Sequence, residues 1–210
     1  MSGSRETHTP QEAFWAGEFG TDYSARNTGD RLVASNLHLF SRALRGVGAL
    51  SSCLELGANV GMNVTALRLL HPGLAISAVE INPDAARTLG ALIGTDNVTL
   101  GSILDYEPRD QFDLVLVKGV LIHINPEKLP LVYETMHRAA RRFILLAEYY
   151  NPTPVAVPYR GHADRLFKRD FAGELLDRYS DLTLRDYGFA YRRDAACPQD
   201  DLTWFLLEKR

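Results

Sequence analysis

Two short stretches of the chain carry residue types that could hold a nucleoside. The first, "ELGANVGMN", sets Glu55, Gly57 and Gly61 around what reads as a strand-to-helix turn. Glycine there permits turn dihedrals closed to other residues and lets a backbone approach a ligand with no side chain between. A tight turn that serves packing alone would have the same composition. The second is Glu80, which closes the next apolar run, "LAISAVEI". An acid at that place can accept hydrogen bonds from both hydroxyls of a ribose, so the two stretches together point to a nucleoside more strongly than either alone. A dinucleotide would want G-x-G-x-x-G, with its pyrophosphate against a helix N-terminus. The spacing here is E-x-G-x-x-x-G with Asn59 at the centre, and asparagine tolerates the left-handed region better than most residues.

These residues need a scaffold, and the chain supplies a regular alternation. Apolar runs at "SSCLELG", "LAISAVEI", "NVTLGS", "FDLVLVKG" and "RFILLAEYY" read as strands. Their continuous apolarity marks strands buried on both faces. Helical patterns lie between them, most plainly after Pro126, where Leu129, Val132, Tyr133, Met136 and Ala139 share one face. Pro10 to Leu44 also reads as helical. Near the end, "LTLRDYGFAYRR" and "DLTWFLLEK" flank the turn-rich "DAACPQD" and read as a hairpin. The expectation is an α/β fold: a Rossmann-like, doubly wound seven-stranded sheet, five strands parallel and the C-terminal hairpin adding an antiparallel one, with helices on both faces. One domain is expected over 1–210, divided into a helical cap (1–46), a ligand-binding core (47–150), an insert and helix (151–180) and the hairpin (181–210). In such sheets ligands bind beyond the carboxyl ends of the strands.

Composition narrows the function classes. The 210 residues are 46% hydrophobic and 23% charged with a formal net charge of −3, which suits one sizeable core and gives no global field for nucleic acid or an anionic membrane. The two cysteines, Cys53 and Cys197, are too few for a disulfide framework, and no cluster has metal-ligand spacing. No stretch approaches the roughly 20 apolar residues of a membrane span, and "MSGSRETHTPQEAF" lacks a signal peptide's apolar segment. A cytoplasmic location is therefore expected.

The turn around Asn59 resembles motif I of class I S-adenosylmethionine (SAM)-dependent methyltransferases, with Asn59 in place of the middle glycine. The order of the other elements is similar to that family across the whole chain. Longer stretches, "FWAGEFGTDYSARN", "KGVLIHINP", "AEYYNPTPVAVPYRGHADRLFKRDFAGE" and "DYGFAYRRD" with "PQDDLTWFLLEK", resemble the methylases labelled pseudaminic acid biosynthesis-associated. The resemblance implies SAM as cofactor and a small polar, anionic acceptor such as a sugar acid or nucleotide sugar.

It also implies roles. Gly57, Ala58 and Gly61 would lie against the methionine portion, Glu80 would hold the ribose, Ser102 and Ile103 would border the adenine, and Glu55, Asn59 and Ile81 would also belong to the cofactor site. Asp105 is either a further polar contact or a cap. Lys118 either snorkels to solvent or faces the cofactor, beside Gly119. On the N-terminal helix Tyr23 and Arg26 could take the cofactor's carboxylate, whereas Trp15 and Phe19 read as a face that covers the sheet. Methyl transfer is an in-line displacement, which needs a base only if the acceptor arrives protonated. His123, Glu148 and His162 are the candidates. His123 could equally be hydrogen-bonded into its loop, and Glu148 closes a buried strand where it would need a partner. Tyr149, Tyr150, Asn151 and Tyr159 would border the acceptor.

The cationic stretch "PYRGHADRLFKRDF" follows the fifth strand. Its first half, with Arg160, His162 and Arg165, reads as an anion-recognising lid at the start of a helix, and Lys168 and Arg169 as that helix's solvated face. An RNA or tRNA methyltransferase, a nicotinamide oxidoreductase and a non-catalytic SAM-binding protein are the competing readings. A homodimer across the hairpin edge is a further expectation.

Overall fold

The computed structural model describes residues 9–161 and 164–210. Three helices open it: α1 (Pro10–Ala16), α2 (Glu18–Arg26) and α3 (Asp30–Ala43). The single helical run read from the sequence is broken twice, at Gly17, where the backbone is extended, and at Gly29, with φ 107°. Thr9 starts α1 as its N-cap, and its hydroxyl oxygen accepts the Glu12 N–H.

The alternating core follows as β1 (Ser52–Leu56), α4 (Met62–Leu70), β2 (Ala75–Glu80), α5 (Pro83–Ile93), β3 (Val98–Leu100), β4 (Phe112–Lys118), α6 (Leu129–Ala139) and β5 (Ala140–Glu148). A small pair, β6 (Val155–Ala156) with β7 (Phe167–Lys168), precedes α7 (Phe171–Arg178), β8 (Leu182–Ala190) and β9 (Leu202–Lys209). The main sheet has the order β3-β2-β1-β4-β5-β9-β8. Strands β1 to β5 pair in parallel, β9 runs antiparallel to β5, and β8 returns at the free edge. This is the doubly wound seven-stranded sheet expected. Tyr187 and Phe189 are exposed along its outer strand.

Successive residues of the central strands enter opposite layers, which is why those runs read as continuously apolar. Cys53, Leu114 and Leu116 pack with Phe40, Leu67 and Leu89 of α3, α4 and α5. Leu54, Val115 and Val117 pack with Leu129 and Met136 of α6 and Leu175 of α7. Each such aliphatic side chain, fully buried, contributes about 1.5–3 kcal/mol of transfer free energy.

Winding reverses between β1 and β4, whose register sets Leu56 against Val117. The loops after these strands therefore lie side by side at the carboxyl edge, where a crevice opens.

Two boundaries differ from the sequence reading. A 3-10 turn, Pro126–Lys128, precedes α6, with Asn125 Oδ1 accepting from Glu127 N. Helix α7 begins only at Phe171, capped by Asp170, and Phe167 and Lys168 are drawn into the small strand pair instead. Arg160 and Arg165 thus do not open a helix, and the lid cannot bind an anion through helix N–H groups. Among the described residues no helix is long and apolar enough to cross a membrane.

Candidate functional site

A cavity of about 240 Å³ opens at the carboxyl edge over β1, β2 and β4, roofed by α1 and α2. Its floor is the turn after β1. Asn59 occupies the left-handed region there with φ 49°, and Gly57 and Gly61 have φ 76° and 86°. The asparagine keeps the turn that the missing glycine would have allowed. Its Oδ1 accepts from the Ser24 hydroxyl of α2 at 2.6 Å, so the departure from the motif is used to fasten the roof to the floor.

The two glycines answer to packing as well as to dihedrals. A Cβ on Gly57 would stand 2.6 Å from Val120, and one on Gly61 2.7 Å from Leu92. Gly57, Ala58 and Asn59 border the cavity, whereas Gly61 is turned into α5 and away from it. Gly119 is the reverse case: φ is 68°, nothing lies within 4 Å of an added Cβ, and the residue borders the cavity. This is a place where bare backbone faces open space.

Glu80 forms the wall beyond β2. Its Oε2 accepts from Asn59 N and its Oε1 from Asn82 N, each at 2.7 Å. Burial raises its pKa, and these N–H groups hold it down against that rise. Each carboxylate oxygen retains acceptor capacity toward the cavity. Ile81, Ser102 and Ile103 continue this wall, and Ser102 Oγ accepts from Leu104 N, which fixes the loop after β3.

At and beneath the floor lie three ionisable side chains that burial shifts. Glu55 is fully buried and does not border the cavity; its Oε1 accepts from Asn63 Nδ2 at 2.7 Å, and burial pushes its pKa up to about 8. Lys118 borders the cavity, and burial lowers its pKa against the opposing pull of Asp200, Glu55 and Glu148. Glu148 is buried outside the cavity, with Oε1 accepting the N–H groups of Val120 and Leu121 at 2.9 and 3.0 Å. The backbone of the loop carrying His123 is therefore the partner of this oxygen, whereas Glu148 Oε2 is buried and makes no hydrogen bond among the described residues. Burial pushes its pKa to about 7.

His123 borders the cavity and is 9% exposed. Its Nδ1 lies 2.5 Å from the carbonyl oxygen of Arg165. A carbonyl only accepts, so Nδ1 carries the proton and Nε2 the lone pair. The ring sits between Trp15 and Tyr159, with centroids 4.6 and 5.1 Å away. Burial lowers its pKa to about 4, leaving a neutral imidazole at physiological pH.

The remaining sequence candidates divide. Tyr23 borders the cavity and is pushed up to about 12, mainly by burial, so its hydroxyl stays protonated. Arg26, one turn on, is exposed at the end of α2 and outside the cavity; Ser24 is the α2 residue that reaches the glycine turn. Tyr159 and Arg160 stand behind His123 and Phe19, with the Arg160 guanidinium 5.8 Å from the Tyr159 ring. Arg165 Nη1 is paired with its neighbour Asp164 at 2.5 Å and the guanidinium lies over Phe14, while its Nε is buried and makes no hydrogen bond among the described residues. Tyr149 lies under Lys168, Tyr150 packs on Phe205 on the outer sheet, and Asn151 Nδ2 donates to Thr153 O in a turn. None of these three borders the cavity. Arg169 pairs with Glu174. His162 lies outside the described residues.

Several cavity residues carried no signal in the sequence. Gln11 and Glu12 come from α1, beside Trp15, which the sequence reads only as part of a face covering the sheet, and Asn36 from α3 is hydrogen-bonded to Gln199, which lies beside Asp200 between β8 and β9. The pattern Thr9-x-x-Glu12 signals a helix start, and nothing local says that this helix would roof a site built mainly from β1 to β4.

No protein-family model matches the chain. No curated protein matches it either. Among solved structures it is similar to the 1,6-didemethyltoxoflavin-N1-methyltransferase of Burkholderia thailandensis with bound 1,6-didemethyltoxoflavin and S-adenosylhomocysteine, at 17% identity over 98% of this chain and 92% of that one, TM-score 0.70. It is similar to the magnesium protoporphyrin IX methyltransferase of Synechocystis PCC 6803 with bound SAM, at 12% identity over 98% of this chain and 100% of that one, TM-score 0.67. Mitomycin 7-O-methyltransferase aligns at 14% identity and TM-score 0.65 over 96% of this chain, which spans 61% of that longer protein. The architecture of this chain is the Rossmann-like methyltransferase fold.

Proposed function

We propose that the protein is a SAM-dependent methyltransferase acting on an oxygen or nitrogen of a small polar metabolite. The observation that carries this reading is the Glu80 carboxylate, set at the cavity wall one strand beyond a left-handed turn that lacks the dinucleotide glycine pattern. The residues present fit SAM. Glu80 would take the ribose hydroxyls, Ser102 and Ile103 would border the adenine, and Gly119 leaves open space that a Cβ would fill. Tyr23 and Lys118 are the polar side chains on offer to the methionine end.

SAM supplies an electrophilic methyl group on a sulfonium. The chain's own contribution is to hold an acceptor in line with it and to exclude water. His123 is neutral and held by Arg165 in one tautomer, so its Nε2 is free to receive the proton an alcohol or amine gives up. Arg160, behind Tyr159, is the cation left to meet an anionic part of the acceptor. The resemblance to pseudaminic acid-associated methylases supports a sugar-derived acceptor.

Incubation with methyl-labelled SAM and a metabolite extract tests the reading. A labelled small molecule is the expected product. SAM binding with no transfer to any metabolite or RNA would replace the enzyme by a binding protein, and label in RNA would move the acceptor to a nucleic acid.

A further inference from the structure

The roof of the cavity holds three polar atoms that have no hydrogen-bond partner among the described residues. Gln11 Oε1, Glu12 Oε1 and Trp15 Nε1 are each buried and, among the described residues, make no hydrogen bond. All three residues border the cavity, and Gln11 and Glu12 are only 5% and 6% exposed. The bonds these side chains do make define what is left over. Gln11 Nε2 donates to the Asp164 carbonyl at 2.9 Å, which fixes the amide with its oxygen free. Glu12 Oε2 accepts from the Thr9 hydroxyl at 3.0 Å, so capping of α1 accounts for one carboxyl oxygen and leaves the other.

These atoms adjoin His123. Asp164, which holds Gln11, is followed by Arg165, whose carbonyl holds His123, and the Trp15 ring lies 4.6 Å from the imidazole. Buried polar atoms ordinarily find partners. Three orphans on one wall, beside a histidine with a free lone pair, mark a place prepared for a ligand group.

We propose that Gln11, Glu12 and Trp15 form the acceptor subsite, and that the group they receive and present for methylation is a hydroxyl or an amine, not a carboxylate. The inference rests on the methyl-transfer reading above. Two of the orphans, with His123 Nε2, are hydrogen-bond acceptors, so the incoming group must bring protons. An alcohol brings one and a primary amine two, and a lone pair on the same atom can take the Trp15 N–H before the transfer. A carboxylate brings none and would set its oxygens against the Glu12 carboxyl and the Gln11 carbonyl. In the transfer the acceptor's lone pair forms the bond to the methyl carbon as the carbon–sulfur bond breaks with its electron pair left on sulfur, and the acceptor's proton passes to His123 Nε2.

The test uses the full chain, methyl-labelled SAM and a metabolite extract, followed by mild alkali on the labelled product. A methyl ether or N-methyl group keeps its label, as expected; release of labelled methanol from a methyl ester would overturn the proposal. Glu12→Gln, which keeps the shape of the side chain, and Gln11→Ala should each raise the acceptor KM by about 10-fold or more with the SAM Kd within about 2-fold of the unmodified protein. An unchanged KM in both, or an equal loss of SAM affinity, would remove these residues from the acceptor subsite. SAM binding with no labelled product would overturn the proposal and leave the cofactor site standing, whereas failure to bind SAM would overturn the methyltransferase reading itself.

Discussion

His123 Nδ1 donates to the Arg165 carbonyl oxygen across 2.5 Å, joining the loop after β4 to the segment that leads into β7. The bond sets the tautomer and ties the cavity's base candidate to the chain that follows β5. His123→Ala should lower kcat by about 10²–10⁴-fold, the usual range for a proton-transfer group, with SAM affinity retained. Because the imidazole is neutral down to about pH 4, kcat controlled by this group should be flat between pH 6 and 8. Steady-state kinetics with the identified acceptor checks both, and an unchanged kcat would leave His123 a packing residue between Trp15 and Tyr159.

The two arginines of "PYRGHADR" should behave differently. Arg160 is exposed beside Tyr159, so Arg160→Ala should raise the acceptor KM with little change in SAM affinity or melting temperature. The Arg165 guanidinium pairs through Nη1 with Asp164 and lies over Phe14, so its loss should act on stability by about 1 kcal/mol. Acceptor titrations and thermal melts of both variants separate these outcomes; a strong KM effect for Arg165→Ala without loss of stability would restore it to acceptor binding.

Glu148 should be a positioning residue. Its carboxylate satisfies two buried backbone N–H groups of the turn that presents His123, and Glu148→Ala leaves both unpaired. The expected cost is about 2–4 kcal/mol, with kcat reduced and the SAM Kd little changed. Glu148→Gln retains an acceptor oxygen and should recover most of both. If the glutamine variant is as inactive as the alanine one while equally stable as the parent, the carboxylate acts in the chemistry itself.

Stability should decline on the alkaline side. The carboxyl of Glu55 is held protonated to about pH 8 by burial and would ionise near 4.5 in an unfolded chain, so between those values the folded state carries the extra proton. That contribution is present below pH 4.5 and is lost as pH rises, at about 1.4 kcal/mol per pH unit. Glu148 acts in the same direction up to about pH 7. His123, with its pKa lowered from 6.5 to about 4, opposes both between those values and contributes nothing further above them. Unfolding free energy measured by denaturant titration should therefore fall from pH 6.5 to 8, and Glu55→Gln should flatten that slope. An unaltered slope would place the ionisation elsewhere.

The sheet was readable because fully buried strands are written as unbroken apolar runs, and β1, β2, β4 and β5 fall where those runs stand. The places of Glu80 and Asn59 at the carboxyl edge were readable for a related reason: one strand end and one short loop fix where they stand. Glu148 and Arg165 were readable as polar residues near the site but their partners were not, since only the folded backbone shows that one accepts from Val120 and Leu121 and the other offers its carbonyl to His123. Gln11 and Glu12 were not readable at all. Their place at the cavity depends on how α1 lies across loops distant in sequence, and their local pattern speaks only of a helix cap.

Calorimetric titration of the full chain and its Glu80→Ala variant with SAM and with NAD decides whether this cavity is a SAM site. SAM should bind, NAD should not, and loss of the Glu80 carboxylate should weaken SAM binding by about 10-fold or more. Binding of NAD without SAM, or SAM binding indifferent to Glu80, would contradict the SAM assignment.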